Sequence, residues 1–247
     1  MPYTAQVLNG FKPLEALEEE WRELFNQAES PNPFFSAEWV YTWLNHRGGR
    51  VFPVTLIARD GDNQLVATWP FFEYAAIGGR GLWVGLSDIA DCMDPLLMRH
   101  DEALLKTVFE ALGQLLADYR FIWIPLLREE WVRDHLEPAL STFPNLPIIR
   151  ERAPNHFVDL TAQSDFESYL NGAVGAKTRK SLRYDTRQLE QLGQTEYVTY
   201  RTPDDLLRFE VEMRSIEKVS WKGRQRVGHL TGVDSGDFFH ELLPKLL

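Results

Sequence analysis

A single cysteine, Cys92, in 247 residues excludes a disulfide within the chain and points to a reducing compartment. No apolar run is long enough to span a bilayer. The opening residues, Met-Pro-Tyr-Thr-Ala-Gln, lack the basic start and apolar stretch of a secretory signal. Elimination leaves a soluble cytoplasmic protein as the expectation. Positive charge is scarce as well: 26 Lys and Arg stand against 36 Asp and Glu, a net of −10. That balance argues against nonspecific nucleic-acid binding by the whole chain, which needs a positive surface to release counterions. With 44% hydrophobic and 25% charged residues, the chain has what a folded globular protein needs.

Two catalytic signatures are also missing. There is no Gly-x-Ser-x-Gly nucleophile elbow. His46, His135, His156, His229 and His240 have neither metal-ligand spacing nor a Ser or Cys neighbour, and His100 with Cys92 completes no zinc pattern, so no metal is expected. The acidic loop Asp88, Asp91, Asp94 matches no calcium loop and reads as solvated.

The charge that is present is unevenly placed. Residues 1–160 hold 13 Lys and Arg and 23 Asp and Glu; residues 161–247 hold 13 of each. This suggests two regions with different surface tasks, a first domain at 1–160 and a second segment at 161–247.

Apolar periodicity fills in the first region. Tyr3–Leu8 reads as a strand. Leu14, Leu17, Trp21, Leu24 and Phe25 keep helical spacing over 14–28. Ser36 is placed to cap a helix carrying Val40, Trp43 and Leu44, with Glu38 in its first turn. A hairpin follows, with strands 52–59 and 65–74 about the turn Asp60-Gly61-Asp62-Asn63; Pro70 predicts a bulge or an edge. Gly78-Gly79-Arg80-Gly81 is a turn before a strand at 82–86. A helix is predicted over 101–118, a buried strand over 121–127, a helix over 129–141, and strands at 148–152 and 156–160. Strands interleaved with helices predict an α/β protein with a mixed central sheet covered by helices on both faces.

After residue 160 the pattern restarts. Ser164-x-x-Glu167 reads as a capping box, a basic helix spans 176–192 and ends at Gly193, and 195–201 reads as a strand. Thr202-Pro203 opens a helix whose stripe is Leu206, Phe209, Met213 and Ile216, and a last helix starts near Ser235. Strand 195–201, helix 203–220 and helix 236–246 repeat the order of strand 3–8, helix 14–28 and helix 36–46. The chain then stops inside an apolar helical pattern, which suggests a second copy cut short.

Three stretches carry a family resemblance: Asn32-Pro-Phe-Phe-Ser-Ala-Glu-Trp39, Lys177-Thr-Arg-Lys-Ser-Leu-Arg183 running on to Leu189-Glu190-x-x-Gly193, and Ser220-Trp-Lys-Gly223. In their order and approximate spacing they resemble the cellulose-biosynthesis (CelD-like) acetyltransferases of the GNAT superfamily. The resemblance implies a GNAT-like acyl-CoA N-acyltransferase fold plus the start of a second copy. It implies acetyl-CoA as acyl donor and an amine or hydroxyl of a polysaccharide-pathway acceptor, with polysaccharide-synthesis proteins as partners.

An acetyl-CoA site in that fold needs free backbone amides at a helix N-terminus to hold the pyrophosphate. In the first copy that turn is Ser87–Pro95, where three aspartates and no glycine would repel it, so the first domain is expected to have lost the cofactor. The basic run offers an alternative. Lys180, Arg183 and Arg187 share one helix face, with Arg179 beside them and Lys177 one turn earlier; Arg and Lys at this density suit phosphate or carboxylate. These five, with Trp221 (expected in the core) and Lys222, are the candidate substrate-binding residues; no catalytic base is identifiable. Two rival readings stand: a non-catalytic module binding a glycan precursor or a partner protein, and a peptidoglycan (Fem-like) aminoacyl transferase.

Overall fold

The computed structural model describes residues 3–47, 49–76, 79–86, 90–139, 148–150, 164–232 and 235–246. They fall into two compact units, Met1–Arg150 with Thr202–Leu247, and Glu151–Arg201.

The larger unit is built on one mixed sheet. Strands β1 (Thr4–Asn9), β2 (Phe52–Arg59), β3 (Leu65–Ala76), β4 (Gly79–Trp83) and β6 (Ile122–Trp123) lie in that order, and β5 (Leu96–Leu97) pairs with β3. Every pairing is antiparallel except β4 with β6. The β2–β3 hairpin turns where the sequence predicts it. Asp60 Oδ1 accepts the amides of Asp62 and Gln64, at 3.0 and 2.9 Å, and Asn63 takes the left-handed φ of 65° that asparagine tolerates. Pro70 is neither at an edge nor in a bulge. It pairs with Thr55 inside the sheet, and the register shift lies between Ala58 and Arg59. On the other side of β3, Pro70 falls between the residues paired with β5 (Ala67–Thr68) and those paired with β4 (from Phe72). A residue without an N–H is tolerated at such an interruption.

Helices cover both faces. The predicted helix over 14–28 is split into α1 (Phe11–Glu15) and α2 (Glu18–Gln27), because Leu17 N–H bonds back three residues to Leu14 O. The apolar stripe survives the break, with Leu14, Leu17, Trp21 and Leu24 all buried. Helix α3 (Ala37–Arg47) starts with Ser36 Oγ accepting the Trp39 amide, and its Glu38 pairs with Arg22 of α2 at 2.7 Å. Trp43 of α3 meets Phe72 on one face of the sheet, 4.7 Å between rings. Side chains alternate along β3, so Trp69 points the other way, to Trp131, which also contacts Phe109 of α4 (Glu102–Asp118). The helical run 129–139 follows as α5 (Glu129–Trp131), a π turn (Val132–Leu136) and α6 (Glu137–Ala139).

Several expectations are corrected. The strand at 82–86 forms earlier, as β4, and that over 121–127 shrinks to β6; beyond it Leu126 takes φ 58° and its carbonyl receives the Met93 amide of a loop. Residues 148–150 form no strand, and the expected strand at 156–160 lies outside the described residues.

Residues 202–246 continue the larger unit with α9 (Pro203–Val219), α10 (Trp221–Gln225) and α11 (Gly236–Leu242). Thr202 and Asp205 form a reciprocal capping box at the start of α9. Phe238 and Leu242 of α11 enter the main core beside α3, and Lys245 Nζ donates to Thr42 Oγ1 at 2.8 Å. The expected buried stripe on α9 is only half-buried, and Ile216 is 60% exposed.

In the smaller unit, α7 (Phe166–Gly172) is capped by Asp165, not Ser164: Asp165 accepts the Ser168 amide at 2.7 Å, while Ser164 Oγ donates to Asp165. Helix α8 (Ala176–Leu192) ends at Gly193 as predicted. Residues 194–201 pair with no strand among the described residues and are mostly exposed; a β-rich composition does not by itself make a strand.

Candidate functional site

The pyrophosphate turn that the resemblance implies for the first segment would precede α4. The structure fills it with the chain's own carboxylates. Asp101 accepts the Leu104 amide at 2.7 Å, receives the Tyr3 hydroxyl at 2.5 Å, and pairs with Arg99. Its burial would raise its pKa, but the Tyr3 and Leu104 hydrogen bonds outweigh that and hold it below the ordinary carboxylate value. Asp94 is not solvated as the sequence suggested. It is buried and joined to Arg128, through both the backbone amide and Nε. Burial pushes Asp94 upward even so. Asp91 is exposed, and Asp88, with the rest of Ser87–Ile89, lies outside the described residues.

A second cluster of amides closes the turn after α10. Glu217, near the end of α9, is buried, and its carboxylate accepts the amides of His229, Leu230 and Thr231 at 2.9 to 3.0 Å and the Thr231 hydroxyl at 3.1 Å. Burial alone would raise its pKa; the amides outweigh burial and hold it low. One turn earlier, Arg214 donates to Leu230 O and pairs with Glu210, which also meets His240 at 2.9 Å. A side chain at Gly228 would overlap the Glu217 carboxylate and Thr231. The sequence reading missed Glu217. Its only signal was a second acidic residue, after Glu210, on the helix face that carries Leu206 and Met213.

The seven predicted site residues divide between the units. Lys177, Arg179, Lys180, Arg183 and Arg187 stand on α8. Arg179 is structural: its guanidinium donates to the carbonyls of Leu170, Asn171 and Val174 at the end of α7, the place where a cation complements the helix dipole. Lys177, Lys180, Arg183 and Arg187 are exposed and have no carboxylate partner among the described residues. Trp221 and Lys222 lie on α10 in the larger unit. Trp221 is not core but 61% exposed, with Lys222 Nζ 6.0 Å from its ring centre. Ser220 explains this: it both ends α9 and caps α10 by accepting the Gly223 amide, so Trp221 occupies an exposed first turn.

Among the described residues no group of three or more His, Cys, Asp and Glu could hold a metal ion, and no helix is long and apolar enough to cross a membrane.

Residues 176–247 match a family model described as an acetyltransferase (GNAT) domain. No curated protein matches the chain. Solved structures show weak likeness. One, described as a possible acetyltransferase from Clostridium difficile 630, is 9% identical, with 62% of this chain and 99% of that one covered and a TM-score of 0.34. Glucosamine-6-phosphate N-acetyltransferase from Arabidopsis thaliana is 12% identical over 62% and 99%, with a TM-score of 0.33. A protein described as a predicted acetyltransferase, from Clostridium acetobutylicum and solved with acetyl-CoA, is 14% identical over 66% and 100%, with a TM-score of 0.34. At those scores the likeness assigns neither a site nor a substrate.

Proposed function

We propose that this chain is an acyltransferase of the GNAT type, moving an acetyl group from acetyl-CoA to an amine or hydroxyl of a polysaccharide-pathway acceptor. The match of residues 176–247 to an acetyltransferase domain carries the reading. The matched segment contains all seven candidate residues, and we assign the donor to it; the first segment is then a related domain without a donor site, in line with the filled start of α4. The four cations of α8 that have no carboxylate partner among the described residues supply what a phosphate-bearing tail needs, since guanidinium and ammonium groups take phosphate oxygens by charge-assisted hydrogen bonds.

The chemistry asks little of the protein. The acceptor nitrogen or oxygen bonds to the thioester carbonyl carbon, the carbon–sulfur bond breaks, and the sulfur leaves as a thiol with the proton the acceptor gives up. Alignment and charge stabilisation supply most of the acceleration.

The test is thiol release by the purified chain from acetyl-CoA, followed with a thiol-reactive dye against a panel of amino sugars and soluble polysaccharides, with calorimetric titration of CoA alone alongside. Binding of CoA and acceptor-dependent thiol release support the reading; neither one at 1 mM CoA (about the weakest affinity a substrate site shows) sinks it. A second reading, a non-catalytic binding module, is favoured by one observation: both amide clusters described above already hold carboxylates of the chain. Saccharide binding without CoA binding would select it.

A further inference from the structure

The first segment carries a cleft that neither the donor reading nor the family match involves. It has a volume of about 520 Å³ and lies where β1 to β4 meet the C-terminal turn of α4. Its floor is rigid. Glu73 of β3 accepts the Tyr119 hydroxyl at 2.5 Å and pairs with Arg80 of β4 at 3.0 Å, and the Arg80 guanidinium stands 5.4 Å over the Tyr119 ring. Burial, with the Glu73 hydrogen bond, pushes the Tyr119 phenol well above its ordinary value, so it stays a donor to Glu73 at any physiological pH.

The walls are of two kinds. Asn9, Gln114 and Asp118 line the cleft, and their side chains make no hydrogen bond among the described residues. Phe52 lines it too and is 45% exposed, a large apolar ring left in solvent at the first residue of a strand. Gly10 turns the chain beside that ring at φ 90°, a left-handed backbone conformation that favours glycine.

The ligand class follows from this lining. Two carboxylates against one guanidinium leave the cleft negative, which disfavours phosphates and carboxylates. Amides offer both donors and acceptors, and carboxylates offer acceptors for hydroxyl hydrogens. A flat ring beside them suits a ligand with one apolar face and a rim of hydroxyls. Concave sites that pair apolar surface with a few converging polar groups are where small molecules bind. We infer that this cleft binds a neutral saccharide, with one sugar ring against Phe52 and its hydroxyls on Asn9, Gln114 and Asp118. The site belongs to the first segment alone and does not rest on the transfer reaction; its failure would leave that reaction standing, and the reverse holds.

The test uses the whole chain and three tetrasaccharides, cellotetraose, maltotetraose and chitotetraose, titrated by calorimetry and by saturation-transfer NMR up to about 10 mM, an order weaker than the millimolar range of single-site ligands. At least one should bind, and Phe52→Ala should weaken it about tenfold or more, with Gln114→Ala giving a smaller loss, as one hydrogen bond does. Both side chains reach solvent, so both variants should keep the parent's unfolding midpoint; if Phe52→Ala unfolds, Gln114→Ala decides. Glucose 6-phosphate should bind more weakly than the neutral sugars. Absence of binding by all three, or binding that both variants leave unchanged, overturns the inference.

Discussion

The turn at residues 228–232 and helix α8 handle charge in opposite ways. In the turn, three backbone amides converge and the chain supplies the anion itself, the Glu217 carboxylate. On α8, four cations stand on an exposed helix and the chain supplies no anion among the described residues. A charge satisfied internally is part of the fold, because removing its partner leaves a desolvated polar group. A charge left open on an exposed helix costs the fold little and is available to a ligand. By this criterion Glu217, Asp101 and Asp94 are structural, and Lys177, Lys180, Arg183 and Arg187 are the groups to which a function can be assigned.

Reversing the open charges has the largest expected effect. The triple variant Lys180→Glu, Arg183→Glu, Arg187→Glu should lower CoA affinity at least about 100-fold, the loss expected for charge-assisted contacts turned repulsive. Its unfolding midpoint should stay at the parent's value, since exposed substitutions away from partners are nearly neutral. Calorimetry and a thermal melt read the two halves. A melt that falls while affinity holds would make the basic face structural.

Next in size is Arg128→Ala. It strands the buried Asp94 without its cation. Breaking a fully buried pair costs 3–5 kcal/mol, but the Arg128 side chain is 39% exposed, so about 2 kcal/mol is expected after solvent screening. Urea unfolding measures it. CoA binding should not change, because this ion pair lies in the segment to which no donor site is assigned.

How far the sequence carried depends on whether a signal was local. The stripe Leu14, Leu17, Trp21, Leu24 survived a break in its helix, since periodicity reports the buried face whether or not the hydrogen bonds are continuous. The Asp60–Asn63 turn and the Gly193 helix end were legible because turn and cap chemistry reside in the residues themselves. Residues 195–201 form no strand among the described residues, because a strand needs a partner edge, which composition does not show. Residues 121–127 read as a buried strand; the ladder to β4 runs through Ile122–Trp123 alone, and beyond it Leu126 O accepts the Met93 amide of a loop. Asp94 looked solvated because its partner lies 34 residues away. In the candidate site, the basic face of α8 was visible as a charge run, while Arg179's structural role depended on the carbonyl ends of α7. Glu217 was invisible because the amides it binds are brought to it by α10 and the turn that follows.

Glu217→Gln removes the internally satisfied charge. Glutamine keeps one acceptor oxygen in place of two and loses the charge, so about 1.5 kcal/mol of stability should go, within the range for charged hydrogen bonds. The pH dependence has a definite sign. The Glu217 pKa is lower folded than unfolded, so its contribution is complete above the ordinary glutamate value and disappears as pH falls through the folded one. The parent and Glu217→Gln should therefore differ in urea midpoint at pH 7 and converge as the pH drops below about 4, the unfolded glutamate range. A constant difference across that range would mean that the side chain acts through shape and not through charge.

The smallest effect is expected at Asp101. Asp101→Ala removes the cap of α4 and should cost about 1 kcal/mol, as N-cap losses do. It also frees the Leu104 amide and releases the Tyr3 hydroxyl, leaving the start of a 17-residue helix with its positive dipole end open. That makes it the strictest test of what the capped amides mean. If the first segment has no donor site, CoA affinity is unchanged, because Asp94 and Arg128 still close the neighbouring loop. A gain in affinity would mean that Asp101 masks an anion site in the first segment, and the two regions would then differ in occupancy and not in kind.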